Sequence, residues 1–395
     1  MKKKCLLILK WPIPTQKFLI NKFSKFYETE HLFISDFKNK NFSEIIDEIN
    51  NFIELKNIKI VFFDVDFIKL INFFFIKNIK NVKKILMTFD DFAVHEMNAI
   101  TANACDIVLS HCPLSVKKYE EKGYEAFFMP CESDGDIFKN HNLKKEIDVL
   151  FFGQINRDRK EFLDFVINND ISIKIVGEHW SGREMVKNDF VSEQELAKLI
   201  SKSKIVLNLS KSTGDSVINY ASEDIYKFYY QFKGRIIMAG LCGTLCVSEF
   251  SPGQEIMFTK DEVPTFYSKE ECVEILKKLL ADKDLLLKYT GSFCSKVLDL
   301  CEDKRNFKPI FNEIEKTNSR RVELIKFPYW YLRIAAKQII LRNIKLSTLK
   351  KAIFQFKIIF SIIKNSNFLI KFLITFESVI NIFWYSFVLT FKSKK

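Results

Sequence analysis

Residues 233–258, KGRIIMAGLCGTLCVSEFSPGQEIMF, decide the fold. Ile236, Ile237, Gly240 and Leu241 recur at helical spacing, and Cys242 with Gly243 supplies the left-handed turn that stops a helix. Thr244 to Val247 is short, apolar and partly β-branched, which predicts a buried strand. Ser251, Pro252 and Gly253 then turn the chain into a second helix starting near Gln254. Helix, buried strand, turn and helix make half of a parallel α/β unit. In such a unit ligands sit beyond the carboxyl ends of the strands, where helix N-termini offer free amides and partial positive charge to a phosphate. Ser248 to Glu255 would take that place.

The same alternation extends in both directions. On the N-terminal side, strands are expected at Cys5–Leu9, Leu32–Ser35, Ile58–Phe63, Lys84–Thr88, Ile107–Ser110 and Ala126–Met129, with amphipathic segments such as Phe42–Leu55 and Pro113–Lys122 between them. Residues 141–150, HNLKKEIDVL, read as a crossing between domains, polar first and apolar after. Strands then recur at Asp148–Phe152, Ile173–Val176, Lys204–Leu209 and, as an edge, Thr265–Tyr267, with helices at Gln194–Ser201, Glu270–Leu280 and Lys283–Leu300. The fold class is therefore α/β: two Rossmann-like domains, 1–142 and 143–315, followed by a segment, 316–395, of different character.

Charge separates that segment from the rest. Residues 316–395 hold sixteen Lys or Arg and two acids, Glu323 and Glu377, a net of +14, whereas residues 1–315 hold 45 basic and 47 acidic groups, a net of −2. A body near neutrality argues against a nucleic-acid partner. Attraction to an anionic surface belongs to the tail alone, where Phe, Trp and Ile alternate with Lys and Arg. Its longest uncharged run, Ser378–Phe391, is 14 residues, short of the ~20 that cross a bilayer. A basic, apolar helical tail of this kind, over 320–395, suits the headgroup layer of the inner face of the cell membrane; the competing reading is a hairpin packed on the second domain or on another subunit. The nine cysteines form no CxxC pair and Cys5–Leu9 is too short for a secretory signal, which points to a reducing cytoplasm.

The stretches DIVLSHCPLSVKKYEEKGYEAFFMPCESDGDIF (residues 106–138), DVLFFGQINRDRKEFL (148–163), IVGEHWSG (175–182), VSEQELAKLISKSKIVLNLS (191–210) and residues 235–258 occur in an order that resembles the GT-B glycosyltransferase group-1 proteins related to the spore maturation protein CgeB. The resemblance implies a nucleotide-sugar donor held mainly by the second domain, a glycan or lipid-linked acceptor held mainly by the first, and no metal. The chain departs from the family where related enzymes often carry Glu: it has Tyr230 and Met238. That departure motivates the alternative of a catalytically silent relative that binds a nucleotide sugar or glycan within an assembly complex.

Sugar transfer requires a gripped diphosphate, stabilisation of its charge as it leaves, and an acceptor hydroxyl in line. Arg235, Arg157 and Arg159 are the candidate clamps, because a guanidinium holds two phosphate oxygens at once. Gly153 and Gly177 end strands where the backbone can approach a ligand. Glu249 and Glu255 flank the Pro252–Gly253 turn as candidate contacts to the donor hydroxyls, and Ser248, Ser251 and Gln254 as donors to phosphate; helix capping is the plainer reading of several of these. Acidic pairs follow strands at Asp64 and Asp66 and at Asp90 and Asp91, and for a catalytic base the candidates are Asp90, Asp91, His95 and His111. Asp91 and His95 are favoured, since their spacing puts them on one helical face. No His or Cys spacing completes a metal-ligand set, and no glycine-rich loop follows the first strand.

Overall fold

Apolar runs of about six residues without polar alternation form strands covered on both faces. In the computed structural model, which describes residues 2–10, 12, 14–37, 40, 42–65, 73–89, 91–129, 134–154, 157–177, 186–187, 191–211, 230–302, 306–318, 326–343, 356, 359–360, 363–364 and 366–392, these runs build two six-stranded, wholly parallel sheets. The first contains β1 (Lys4–Leu9), β2 (Glu28–Phe33), β3 (Ile60–Val65), β4 (Lys83–Thr88), β5 (Ile107–Ser110) and β6 (Ala126–Phe128), in the order β2-β1-β3-β4-β5-β6. The second contains β7 (Ile147–Phe152), β8 (Ile173–Val176), β9 (Val186–Lys187), β10 (Ser203–Asn208), β11 (Leu245–Glu249) and β12 (Thr265–Phe266), in the order β12-β11-β10-β7-β8-β9. Both sheets wind alike: the opening strand lies inside, and the direction of winding reverses beside it, between β1 and β3 and between β7 and β10.

Alternate residues of each strand feed opposite faces. Leu6 and Ile8 join Val61, Phe63 and Leu86 under the helices Phe42–Lys56 and Asp91–Ala102. Cys5, Leu7 and Leu9 join Phe62 and Ile85 on the other face, against Leu19 and Phe23 of the helix Pro14–Ser24. In the second domain the helix Gly234–Leu241 buries Ile236, Ile237, Ala239 and Gly240 and crosses the helix Lys283–Leu300, where a methyl on Gly240 would meet Val297 Cγ2 at 2.5 Å. Gly243 follows the helix end with φ +71°, as the C-terminal signal predicts.

The crossing expected at 141–150 comes earlier. Met129 still belongs to the first core, whereas Phe138 already belongs to the second. A second crossing lies between Cys301 and Phe307, because Phe307, Phe311 and Ile314 pack into the first domain. Phe311 of the helix Lys308–Lys316 meets the rings of Phe23 at 5.2 Å and Tyr27 at 5.4 Å. Lys83 Nζ donates to the Glu315 carbonyl at 3.2 Å, a cation at a helix C-terminus. The next helix, Tyr329–Asn343, covers the opposite face: Tyr331 is buried against Phe74, and its hydroxyl accepts from the Phe73 amide at 3.3 Å. The long helix Phe368–Lys392 folds back on it through Ile374, with Arg333 Nε 2.8 Å from Glu377. Among the described residues the tail thus packs on the first domain. Among the described residues no helix is long and apolar enough to cross a membrane.

Candidate functional site

At a point where the winding of a parallel sheet reverses, the two neighbouring connections diverge and leave a crevice at the carboxyl ends. In the second sheet that crevice lies between β7 and β10. Gly153 follows β7, Asn208 ends β10, and Arg235 stands in the first turn of the helix Gly234–Leu241. Arg235 Nη1 donates to Asn208 Oδ1 at 3.2 Å and to the Leu209 carbonyl at 3.4 Å, and its guanidinium lies 5.3 Å from the Phe151 ring centre. Gly153 makes room for it, since a Cβ there would sit 2.7 Å from Arg235 Nη2. The N-cap of this helix, Lys233, gives no side-chain cap bond, so no side chain at the cap takes the first-turn amides beside Arg235.

Arg235 is ringed by protein on most sides yet only half-buried by area, as is a group that lines a depression. Burial, and after it the charge of Arg159, pulls its pKa down to about 9. Arg159 is itself half-buried, with Nη1 donating to the Gln154 carbonyl at 2.9 Å; burial lowers its pKa and Glu249 raises it. Two guanidinium groups therefore share one field. Among the described residues no carboxylate pairs with Arg235. Glu249 Oε2 is engaged by the amides of Ser210 and Lys211, both at 2.8 Å, and by the Ser210 hydroxyl at 3.3 Å; burial raises its pKa against the pull of those bonds.

The other predicted residues divide clearly. Arg157 is exposed and paired with Glu161 at 2.9 Å, as a solvated helix pair is. Gly177 ends β8, and the residues Glu178, His179 and Trp180 beyond it lie outside the described ones, as do Asp66 and Asp90. Ser248 is buried; its hydroxyl accepts from Asn208 Nδ2 at 2.9 Å and donates to the Glu249 carbonyl at 2.9 Å, so it joins β10 to β11. Ser251 caps the helix Pro252–Met257 through the Gln254 amide, and Gln254 Nε2 donates to Thr265 Oγ1 at 2.7 Å. Glu255 is exposed and accepts from the Tyr267 hydroxyl. At the start of this helix a Cβ on Gly253 would touch Phe232 Cβ at 3.0 Å and Pro113 Cδ at 3.3 Å. There the helix Pro113–Glu121 of the first domain abuts the helix Pro252–Met257 of the second.

In the first domain Asp91 is fully buried. Its Oδ1 accepts from Asn98 at 2.7 Å and the Tyr119 hydroxyl at 2.9 Å, and its Oδ2 from Ser110 at 3.2 Å. Burial pushes its pKa up, but His95, Asn98 and Tyr119 together bring it below its ordinary value. His95 is buried against Tyr119, with Nδ1 3.5 Å from Asp91 Oδ2, too long for a firm hydrogen bond. Asp91 and His95 share a helical face, and it is Asp91, with Asn98, Ser110 and Tyr119, that closes the internal hydrogen-bond network. His111 follows β5 and stacks on Phe89 with centroids 4.3 Å apart. Asp64 in β3 is bonded to Gln16. Sequence reasoning missed Asn208, which orients both Arg235 and Ser248; a polar residue closing the apolar run IVLN was the available signal, because a buried amide must find partners. No group of three or more His, Cys, Asp or Glu side chains that could hold a metal ion occurs among the described residues.

Residues 157–299 match the family described as glycosyl transferase-like. No curated protein sequence matches the chain significantly. Among solved structures, sucrose-phosphate synthase from Thermosynechococcus elongatus aligns with a TM-score of 0.58 at 9% identity, covering 80% of this chain and 100% of that one. HepE from Anabaena, in complex with UDP and glucose, aligns at 0.57 and 10% identity with the same coverages. A putative UDP-N-acetylglucosamine 2-epimerase from Listeria monocytogenes aligns at 0.51 and 12% identity, covering 82% of this chain and 100% of that one. The chain has the GT-B fold, and its second domain carries the glycosyl transferase-like region.

Proposed function

We propose that the protein is a glycosyltransferase that moves a sugar from a nucleoside-diphosphate sugar to a glycan or lipid-linked acceptor at the inner face of the cell membrane, and that it belongs with the CgeB-related proteins. The observation that carries the reading is the pair of half-buried guanidinium groups, Arg235 and Arg159, at the reversal point of the second sheet, with no carboxylate on Arg235 among the described residues. A diphosphate there accepts from both, and the first-turn amides of the helix Gly234–Leu241 add further donors. As the sugar departs, negative charge grows on the diphosphate, and fixed cations in a partly desolvated crevice stabilise it without needing to reorganise. The guanidinium groups take the part that a metal plays in other transferases.

Asp91 and His95 become positioning groups of the first domain, which receives the acceptor opposite Gly253. UDP-glucose is the first donor to test, because the Anabaena neighbour holds UDP and glucose. Purified protein is expected to release UDP from a matching donor and to transfer the sugar to a lipid-linked glycan. The substitution Arg235→Ala is expected to lower transfer by about 100-fold or more while the protein stays folded. Full activity in that variant would remove the diphosphate clamp, and nucleotide binding without turnover across a donor panel would identify a silent binding relative instead.

A further inference from the structure

We infer that the outer face of the helix Phe368–Lys392 is a docking surface for the headgroup layer of an anionic lipid bilayer. The inner face of this helix is already satisfied: Ile374 and Ser378 are buried, and Ile374 packs in one cluster with Leu332, Ala336 and Ile340 of the helix Tyr329–Asn343. The outer face is not. Phe368, Leu369, Phe372, Phe376 and Ile380 are all at least half exposed, Phe368 by 84%. At 3.6 residues per turn these five fall within one arc of about 120°, opposite Ile374 and Ser378. The arc holds no charge, and the rings of Phe372 and Phe376 stack along it with centroids 6.1 Å apart.

Charge selects the occupant. The segment 316–395 carries a net of +14, so a second copy of the same face would be repelled while an anionic headgroup layer is attracted. Glu377, beside the stripe, is neutralised by Arg333, and Lys364 one turn before it is exposed. Among the described residues no helix is long and apolar enough to span a bilayer. Lying flat, the helix Phe368–Lys392 presents about 37 Å of length, with large apolar side chains downward and lysines at headgroup level. The hairpin is anchored to the first domain through Tyr331 and Phe327, so lipid is held at the lobe assigned to the acceptor. This deepens the membrane-face part of the proposed function but does not depend on the sugar chemistry.

The test uses the full chain, without donor, floated with vesicles of phosphatidylcholine alone or mixed equally with phosphatidylglycerol. The protein is expected to float with the anionic vesicles, and a double variant, Phe372→Ser with Phe376→Ser, to lose that binding by about tenfold or more. Both residues are exposed, so the variant keeps its melting temperature and its nucleotide binding, which separates failure here from failure of the transferase reading. Equal flotation of variant and native protein would overturn the inference. So would a concentration-dependent dimer, abolished by the same substitutions, in a protein that ignores vesicles.

Discussion

Arg235 concentrates the argument in one side chain. A half-buried cation with a second guanidinium in its field is a liability to the empty protein and an asset only when an anion arrives. Replacement by Met, which keeps the stem and removes the charge, is therefore expected to leave the melting temperature of the ligand-free protein unchanged or raised, while the stabilisation that UDP gives the native protein disappears. A thermal-shift series with and without UDP reads both effects. Arg157, exposed and already paired, sets the contrast: Arg157→Ala is expected to keep transfer within about twofold of native, since exposed pairs contribute little. Asp91 makes a claim about pH. Its pKa is lowered from an ordinary 3.8 in the folded protein, so its contribution is complete above that value and is lost as pH falls through the lower native one. Asp91→Asn should cost about 2 kcal/mol or more at pH 7, where three donors lose a charged acceptor. That gap to the native protein should narrow below pH 3.8 in urea titrations at a series of pH values.

At the scale of elements, contacts that run without a side chain between them are the sensitive ones. Gly240 lies where the helix Gly234–Leu241 meets Val297, and Gly240→Ala is expected to cost about 1–3 kcal/mol in chemical denaturation, since the added methyl overpacks a full crossing. Most elements were legible because their apolar runs are long and uninterrupted: Ile107–Ser110, Ile173–Val176 and Lys283–Leu300 stand where their patterns end. The strand β2 lies earlier than Leu32–Ser35 because it is an edge strand, ETEHLF, whose charged half has no apolar run to mark it. The site was legible in kind but not in place. Arg235 and Gly153 could be chosen as residue types, but the crevice belongs to the strand pair β7 and β10, whose adjacency is set by long-range order. Reading locally from β11 placed the expected phosphate cradle at Ser248–Glu255, where the structure shows capping, cross-strand bonding and contact with Pro113.

For the molecule as a whole, the helices Lys308–Lys316 and Tyr329–Asn343 are structural partners of the first domain, a role that charge and composition did not reveal because helix packing against a distant sheet leaves no periodic mark. Deleting residues 307–395 strips Phe311 from one face of the first sheet and Tyr331 from the other. The expected outcome is loss of hydrogen-exchange protection throughout β1 to β5, with β7, β10 and β11 still protected; uniform protection in the truncated chain would refute it. The double passage of the chain between the lobes has a mechanical consequence. Two covalent crossings, one between Met129 and Phe138 and one between Cys301 and Phe307, are expected to let the lobes swing about the line that joins them more readily than slide or twist out of register. In the proposed transferase, admission of a bulky donor and expulsion of the spent nucleotide are then expected to share a single degree of freedom, like the covers of a book sewn at its spine.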